Sequence, residues 1–383
     1  MDKSGLFKRI SYYIMAIFFY LSYLIPINPV KILLIMTHDD SDEGNVGSTY
    51  QYFQKKNPEL IFKIVRREDY AFEKNKNLFK KLYHMFLLVP YHTATSRIIF
   101  MDNVFLPFST IKIKKNTNLV QLWHGTGSIK KFGMECEDGW IKKLATKTNN
   151  NTTHFIVGSR WMKNIYKASF GANDHRIWNT GCPRTDIFFN EDIILKMRDD
   201  FFNNYPELSG KKIILYAPTF RDDETEIKIH LEIDQLMQGL DENYVLGLRL
   251  HPHISNIVKF DKSFSEGGYH NRIFDFSNYD KLNTLLLCSD LLITDYSSII
   301  YEYALLKKPM IFYPYDLENF RKKGRGFYGN YENLVPGSVA LKTEDIMNLI
   351  NNPVNFNMDE FLSVYLENCD GNSRKRLYEL LME

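Results

Sequence analysis

Leu119-Val120-Gln121-Leu122-Trp123-His124-Gly125-Thr126-Gly127 reads as a buried strand that runs straight into a glycine-rich turn, with a histidine at the junction. More than a hundred residues on, Arg249-Leu250-His251-Pro252-His253 ends a second apolar run in the same way. A third run closes with Ile293-Thr294-Asp295-Tyr296-Ser297-Ser298. Strand ends followed by Gly, Ser or Thr are where open α/β sheets bind nucleotides and phosphates. Such ends in separate halves of one chain imply two α/β domains facing each other across a cleft, with the histidines as the chemistry.

Working outward, apolar runs alternate with helical patterns along the whole chain, the mark of an α/β fold. Strands are expected at Val30–Met36, Leu60–Val65, Arg97–Met101, Leu119–Trp123 and His154–Val157, with Arg176–Gly181 as a sixth. In the second half they are expected at Lys212–Ala217, Tyr244–Leu250, Arg272–Phe276, Leu291–Thr294 and Pro309–Tyr313. Several are continuous apolar runs, as buried parallel strands require. A chain of 383 residues exceeds one ordinary core, so two domains are expected, 30–190 and 205–360, with a C-terminal helix over 361–383. The polar, turn-rich stretch Asn203–Gly210 marks the boundary.

The net charge of +2 implies no polyanionic partner, and no recognition motif points to nucleic acid. The charge is uneven, however: Lys55–Arg97 holds ten basic and four acidic residues. That suits anionic lipid or a phosphate-rich substrate, or else a solvated helix face. Cys136, Cys182, Cys288 and Cys369 form no CxxC pair, so neither a zinc site nor a disulfide framework is indicated, and a reducing cytosolic setting fits. Residues 1–29 read as an interfacial amphipathic segment. Lys3, Lys8 and Arg9 precede a fourteen-residue apolar and aromatic run, Tyr12–Ile25, short of the roughly twenty needed to span a bilayer. A buried or oligomer-forming helix is the competing reading.

Residue chemistry narrows the site. A histidine can take a proton from an attacking hydroxyl because its pKa lies near neutrality. After His124, the turn Gly125-Thr126-Gly127-Ser128 and then Lys130-Lys131 offer backbone N–H groups, hydroxyls and cations to an anion. Arg249 shares a strand face with His251, and the pair suits developing phosphate charge. Thr294, Ser297 and Ser298 around Asp295, at a helix mouth, make a phosphate site or a plain N-cap. Thr219 and Arg221, in Ala217-Pro218-Thr219-Phe220-Arg221-Asp222, close the first strand of the second half. Arg325 lies in a basic loop that could bring a cation over the cleft. The acidic loop Thr37–Ser48 reads as solvated in preference to metal-binding, and no metal-ligand spacing stands out.

Taken together, WHGTG with KKFG, GCPRTD, APTFRDD, RLHPH, ITDYSSIIYEYALLKKPMIFYPYDLENF and RGFY occur in this order. From about Val30 to Pro336 the chain resembles the CDP-glycerol glycerophosphotransferases of wall teichoic acid and capsule synthesis. The resemblance implies a GT-B fold of two Rossmann-like domains, an acceptor domain and then a CDP-donor domain. It implies transfer of a polyol phosphate from a CDP-activated donor to a hydroxyl of an undecaprenyl-diphosphate-linked saccharide, with release of CMP, at the cytoplasmic face of the membrane. By motif, His124 resembles the general base and His251 the second essential histidine, near the donor phosphates. Thr294, Ser297 and Ser298 resemble the phosphate-binding set and Arg325 the later arginine, with Arg221 and Asp222 as weaker correspondences. No cofactor is implied beyond CDP-glycerol as donor, and Mg2+ stays open. The family's common Gly-Thr-Pro-Leu-Lys is Gly-Thr-Gly-Ser-Ile-Lys here, which leans towards a primase adding the first glycerol phosphate. A ribitol-phosphate transferase or a capsule polymerase would read nearly the same. A nucleotide-sugar glycosyltransferase of GT-B type and a non-catalytic scaffold are the rivals.

Overall fold

A computed structural model describes residues 3–70, 77–219, 221, 229–250 and 268–383. The chain divides into two compact units: Met1–Thr126 with Phe132–Asp186 and Tyr365–Glu383, and Gly127–Lys131 with Ile187–Val364. Each is an α/β unit built on a six-stranded parallel sheet.

The first sheet comprises β1 (Asn28–Met36), β2 (Ile61–Arg66), β3 (Ser96–Met101), β4 (Asn118–Gln121), β5 (His154–Ile156) and β6 (Ile177–Trp178), in the order β2-β1-β3-β4-β5-β6. Every neighbouring pair is parallel. Both faces are covered, which is why these strands read as unbroken apolar runs and not as alternating ones. On one face Leu33, Ile35, Ile99 and Leu119 pack with Met15, Phe19, Val89 and Phe108. On the other, Ile32, Leu34, Ile98 and Val120 pack with Phe53, Leu377 and Leu381.

The N-terminal segment is a helix, Lys3–Ser22, longer than the apolar run that marks it in the sequence. Met15, Ala16 and Phe19 are buried, while Leu6, Phe7, Ile10, Tyr13, Ile17 and Leu21 are exposed. Among the described residues, no helix is long and apolar enough to cross a membrane. The C-terminal segment is two helices, Met358–Tyr365 and Ser373–Met382, not one. Gly371, at φ +86°, stands in the break between them, a conformation that glycine adopts without steric cost. Asp186 accepts from the backbone N–H groups of Ser373 and Arg374 at 3.0 and 2.8 Å, satisfying two donors at the start of the last helix.

The second sheet comprises β7 (Lys212–Ala217), β8 (Tyr244–Leu248), β9 (Ile273–Asp275), β10 (Leu291–Thr294), β11 (Met310–Phe312) and β12 (Ser338–Val339), in the order β12-β11-β10-β7-β8-β9. The two-residue β12, paired with β11, is too short to show in the sequence. Ile214, Tyr216, Leu246, Leu248, Ile293 and Ile311 pack one face against Leu236, Met237 and Ile346.

Candidate functional site

In an open parallel sheet, ligands bind beyond the carboxyl ends of the strands where the strand order reverses. In the first unit that point lies between β1 and β3. Asp102, directly after β3, reaches across it: its carboxylate accepts from the backbone N–H groups of Thr37, His38 and Asp39, each at 2.9 Å, and from the Thr37 hydroxyl at 3.1 Å. Burial pushes the Asp102 carboxyl up from its ordinary pKa, and those four bonds pull the other way.

His124 arrives from the next strand. β4 ends at Gln121, two residues before the expected end, because Trp123 turns the chain with φ +60°, a left-handed conformation that costs a bulky residue energy. The surroundings hold it there. Its ring stacks on Phe132 at 5.1 Å, and its carbonyl accepts from Asn45 Nδ2 at 3.1 Å. The His124 carbonyl accepts from Arg184 Nη1 at 2.7 Å, and the Arg184 backbone N–H donates to Asn45 Oδ1 at 3.1 Å.

The imidazole itself is oriented by Asp102. His124 Nδ1 lies 3.1 Å from the Asp102 carbonyl oxygen. A carbonyl can only accept, so Nδ1 carries the hydrogen and Nε2 keeps its lone pair. The His124 pKa is pushed down to about 3, by burial first, then by His38 and Arg184, against the Asp102 bond. The ring is therefore neutral at physiological pH. Gly125 and Thr126 are buried, and the Thr126 carbonyl accepts from Cys182 Sγ at 3.6 Å.

In the second unit the order reverses between β7 and β10. Here most of the expected ligand groups are engaged internally. The Thr294 hydroxyl donates to the Ala217 carbonyl at 2.6 Å. Asp295 Oδ1 accepts from the Thr219 N–H at 2.8 Å. Arg221 Nη2 donates to Asp295 Oδ2 at 2.8 Å and Asp316 Oδ1 at 2.9 Å, and Nε donates to Asp316 Oδ2 at 2.8 Å. The Arg221 and Asp295 side chains are only 4% and 1% exposed. The guanidinium lies over the rings of Tyr296, Tyr315 and Phe320, and Tyr296 donates its hydroxyl to Asp316 at 3.0 Å. Burial alone would raise the Asp316 pKa, but the Arg221 bonds and charge hold it below the usual carboxylate range. Arg221 and Asp295, expected to bind substrate, thus form a closed ionic knot. Arg249 Nη1 likewise donates to the carbonyls of Phe276, Ser277 and Tyr279 at 2.7, 2.9 and 2.6 Å, tying the end of β8 to the loop after β9.

Ser297 Oγ is engaged as well, accepting from the Ile299 N–H at 3.4 Å. The Thr219 hydroxyl is buried with no hydrogen-bond partner among the described residues. Ser297 and Ser298 are half-buried ahead of helix Ile299–Leu305. Residues 129–131 pair with 326–328: Lys131 N–H donates to the Gly326 carbonyl and Tyr328 N–H to the Ile129 carbonyl, both at 3.0 Å. This pairing places Lys130 within electrostatic reach of Asp295, Arg325 and Arg221, and burial pulls its pKa down to about 8. Arg325 is exposed. His251 and Asp222 lie outside the described residues. Among the described residues, no group of three or more His, Cys, Asp or Glu side chains is placed to hold a metal ion.

Sequence reasoning missed Asp102 and Asp316 as site residues and read His38 and Asn45 only as part of an acidic loop. A carboxylate directly after the buried run Arg97–Met101 was the available signal for Asp102.

The family model for CDP-glycerol:poly(glycerophosphate) glycerophosphotransferases matches residues 17–383. The chain belongs to this family. Among similar members, a teichoic acid glycerol-phosphate primase of Bacillus subtilis (strain 168) is 33% identical over 386 residues, covering 97% of this chain and 96% of that protein. A teichoic acid poly(ribitol-phosphate) polymerase of Bacillus spizizenii is also 33% identical, over 368 residues, covering 94% of this chain but only 57% of that longer protein. The glycerophosphotransferase fold is also seen in the wall teichoic acid polymerase TagF, with a TM-score of 0.75 at 23% identity over 99% of this chain and 94% of that one.

Proposed function

We propose that this protein transfers glycerol phosphate from CDP-glycerol to a hydroxyl of an undecaprenyl-diphosphate-linked saccharide, releasing CMP, as a primase-type step of teichoic acid synthesis. The observation that carries the reading is His124: a neutral imidazole at a strand end, its Nδ1–H spent on the Asp102 carbonyl and its Nε2 left as a base. The 33% identity to the Bacillus subtilis primase, with 96% of that protein's own length covered, supports the primase form.

In this mechanism Nε2 of His124 takes the acceptor's proton as its oxygen attacks the β-phosphorus in line. The bond to the bridging oxygen breaks and CMP leaves with the electron pair. Positioning and electrostatics supply most phosphoryl-transfer catalysis. Ser297, Ser298, Thr219, Lys130 and Arg325 are assigned to the donor's diphosphate, with His251. Arg221, Asp295, Thr294 and Arg249 are assigned to holding those groups in place. Gly125 and Thr126 carry the chain away from the base. The chain is taken as GT-B in type, and no cofactor is assigned.

The helix Lys3–Ser22, with Phe7, Ile10, Tyr13, Ile17 and Leu21 exposed beside Lys8 and Arg9, is assigned to peripheral docking on the cytoplasmic face of the membrane. Flotation of the full chain with anionic vesicles tests it: Ile17→Glu should abolish binding, and unchanged binding would remove the assignment.

The test of function is CMP release from CDP-glycerol with a lipid-linked disaccharide, for wild type and His124→Ala, with and without a chelator. Release by wild type alone supports the reading. Release by both removes His124 as the base. Equal identity to a ribitol-phosphate polymerase favours CDP-ribitol as the second donor in the same assay.

A further inference from the structure

The base proposed above has a second imidazole stacked against it. His38, the second residue past β1, has its ring centroid 3.7 Å from that of His124, with the planes 23° apart. His38 is exposed, while its backbone N–H donates to Asp102 Oδ2 at 2.9 Å. Asp102 therefore sets both rings. Its carboxylate holds the loop that carries His38, and its carbonyl takes the Nδ1–H of His124 at 3.1 Å. Trp123 also lies against His124, its ring centroid 4.1 Å away.

We propose that His38 is a positioning residue for phosphoryl transfer, holding the plane of His124 through the stack of the two rings. The proposal rests on His124 being the general base. As the acceptor's proton reaches Nε2 and the new O–P bond forms, a positive charge appears on a ring already beside the Arg184 guanidinium. The stacked His38 ring keeps the imidazole from turning its Nε2 away from the acceptor, and its loss should slow transfer on the order of tenfold. The stack also covers a ring face that water would otherwise reach. His38 touches the base and is not assigned to the substrate, so its loss should appear in kcat and leave KM for CDP-glycerol unchanged.

The experiment is steady-state CMP release from CDP-glycerol with a lipid-linked disaccharide, for wild type, His38→Ala and His38→Phe, with 15N spectra of the imidazoles and an unfolding curve for each variant. Expected are a kcat about tenfold lower in His38→Ala with KM unchanged, and most of that loss restored in His38→Phe, which keeps an aromatic face. The spectra should show the Nδ1–H tautomer of His124 in wild type and His38→Phe, and a mixture in His38→Ala. Wild-type kcat with an unmixed tautomer in His38→Ala would overturn the proposal, as would equal losses in the two folded variants. No CMP release by wild type from any CDP-polyol would overturn the transferase reading itself, and the role of His38 with it.

Discussion

The two sheets reverse strand order in comparable ways, yet what stands beyond those points is opposite in kind. Past β1 and β3 the polar groups orient one imidazole and leave its Nε2 without a partner among the described residues. Past β7 and β10 the charged groups neutralise one another: Arg221 joins Asp295 to Asp316 under a lid of aromatic rings. In the first unit the motif residue His124 is the group proposed as reagent, and the carbonyl that orients its ring belongs to Asp102, a residue of no evident motif. In the second the motif residues are themselves the support. A residue's place in a sequence signature therefore does not tell whether it meets substrate or merely holds the loop that does.

The sharpest way to break this comparison is to remove one member from each side. His124→Ala should lower kcat/KM for CMP release by about 10²–10⁴-fold while leaving the unfolding midpoint near wild type. Arg221→Met should do the reverse in origin. It strands two carboxylates in the interior, and losing one partner of a buried ionic cluster costs about 3–5 kcal/mol. Urea unfolding of the full chain would read that loss. An Arg221→Met protein as stable as wild type would show that the knot is not structural and would return Arg221 to the substrate.

Acid sharpens the contrast next. His124 titrates at about 3 and His92 at about 4 in the folded chain, both lowered first by burial. Unfolded imidazoles take up protons near 6.5, so between that value and the folded ones the unfolded state binds more protons. Stability must then fall as the pH falls from about 6.5, by up to about 1.4 kcal/mol per pH unit for each histidine, and this contribution levels off below the folded values. His124→Gln should flatten the acid slope of unfolding free energy against pH by up to one proton's worth. An unchanged slope would mean that the His124 ring is not held neutral.

These contrasts also mark what the sequence can and cannot carry. The parallel sheets were legible because strands buried on both faces are written as unbroken apolar runs such as Ile32–Met36. The place of His124 just past a strand end was legible because an apolar run gives way there to a glycine turn. The ionic knot was not, since Arg221 and Asp316 stand 95 residues apart and only folding pairs them. Nor was the division of the WHGTG segment itself, after Thr126. Gly127–Lys131 joins the second unit, where a Cβ on Gly127 would come within 2.7 Å of the Tyr301 ring, so the family's proline does not fit this backbone. The polar helix Gly139–Asn151 lacked an apolar stripe strong enough to announce itself.

The smallest expected effect tests whether the same division of labour holds within one motif. Arg184 and Asp186 are two residues apart in Gly181-Cys182-Pro183-Arg184-Thr185-Asp186. Arg184 holds the His124 carbonyl, whereas Asp186 caps helix Ser373–Met382 and pairs with Arg374 at 3.1 Å. Asp186→Asn keeps an acceptor for one backbone N–H and loses the charge, so it should cost about 1 kcal/mol, as a weakened helix cap does, with kcat unchanged. Arg184→Met should instead lower kcat severalfold with a smaller change in stability, because it frees the turn that aims the base. If Asp186→Asn proves the catalytically impaired variant, the C-terminal helix is coupled to the base, and the separation of reagent from scaffold in the first unit fails.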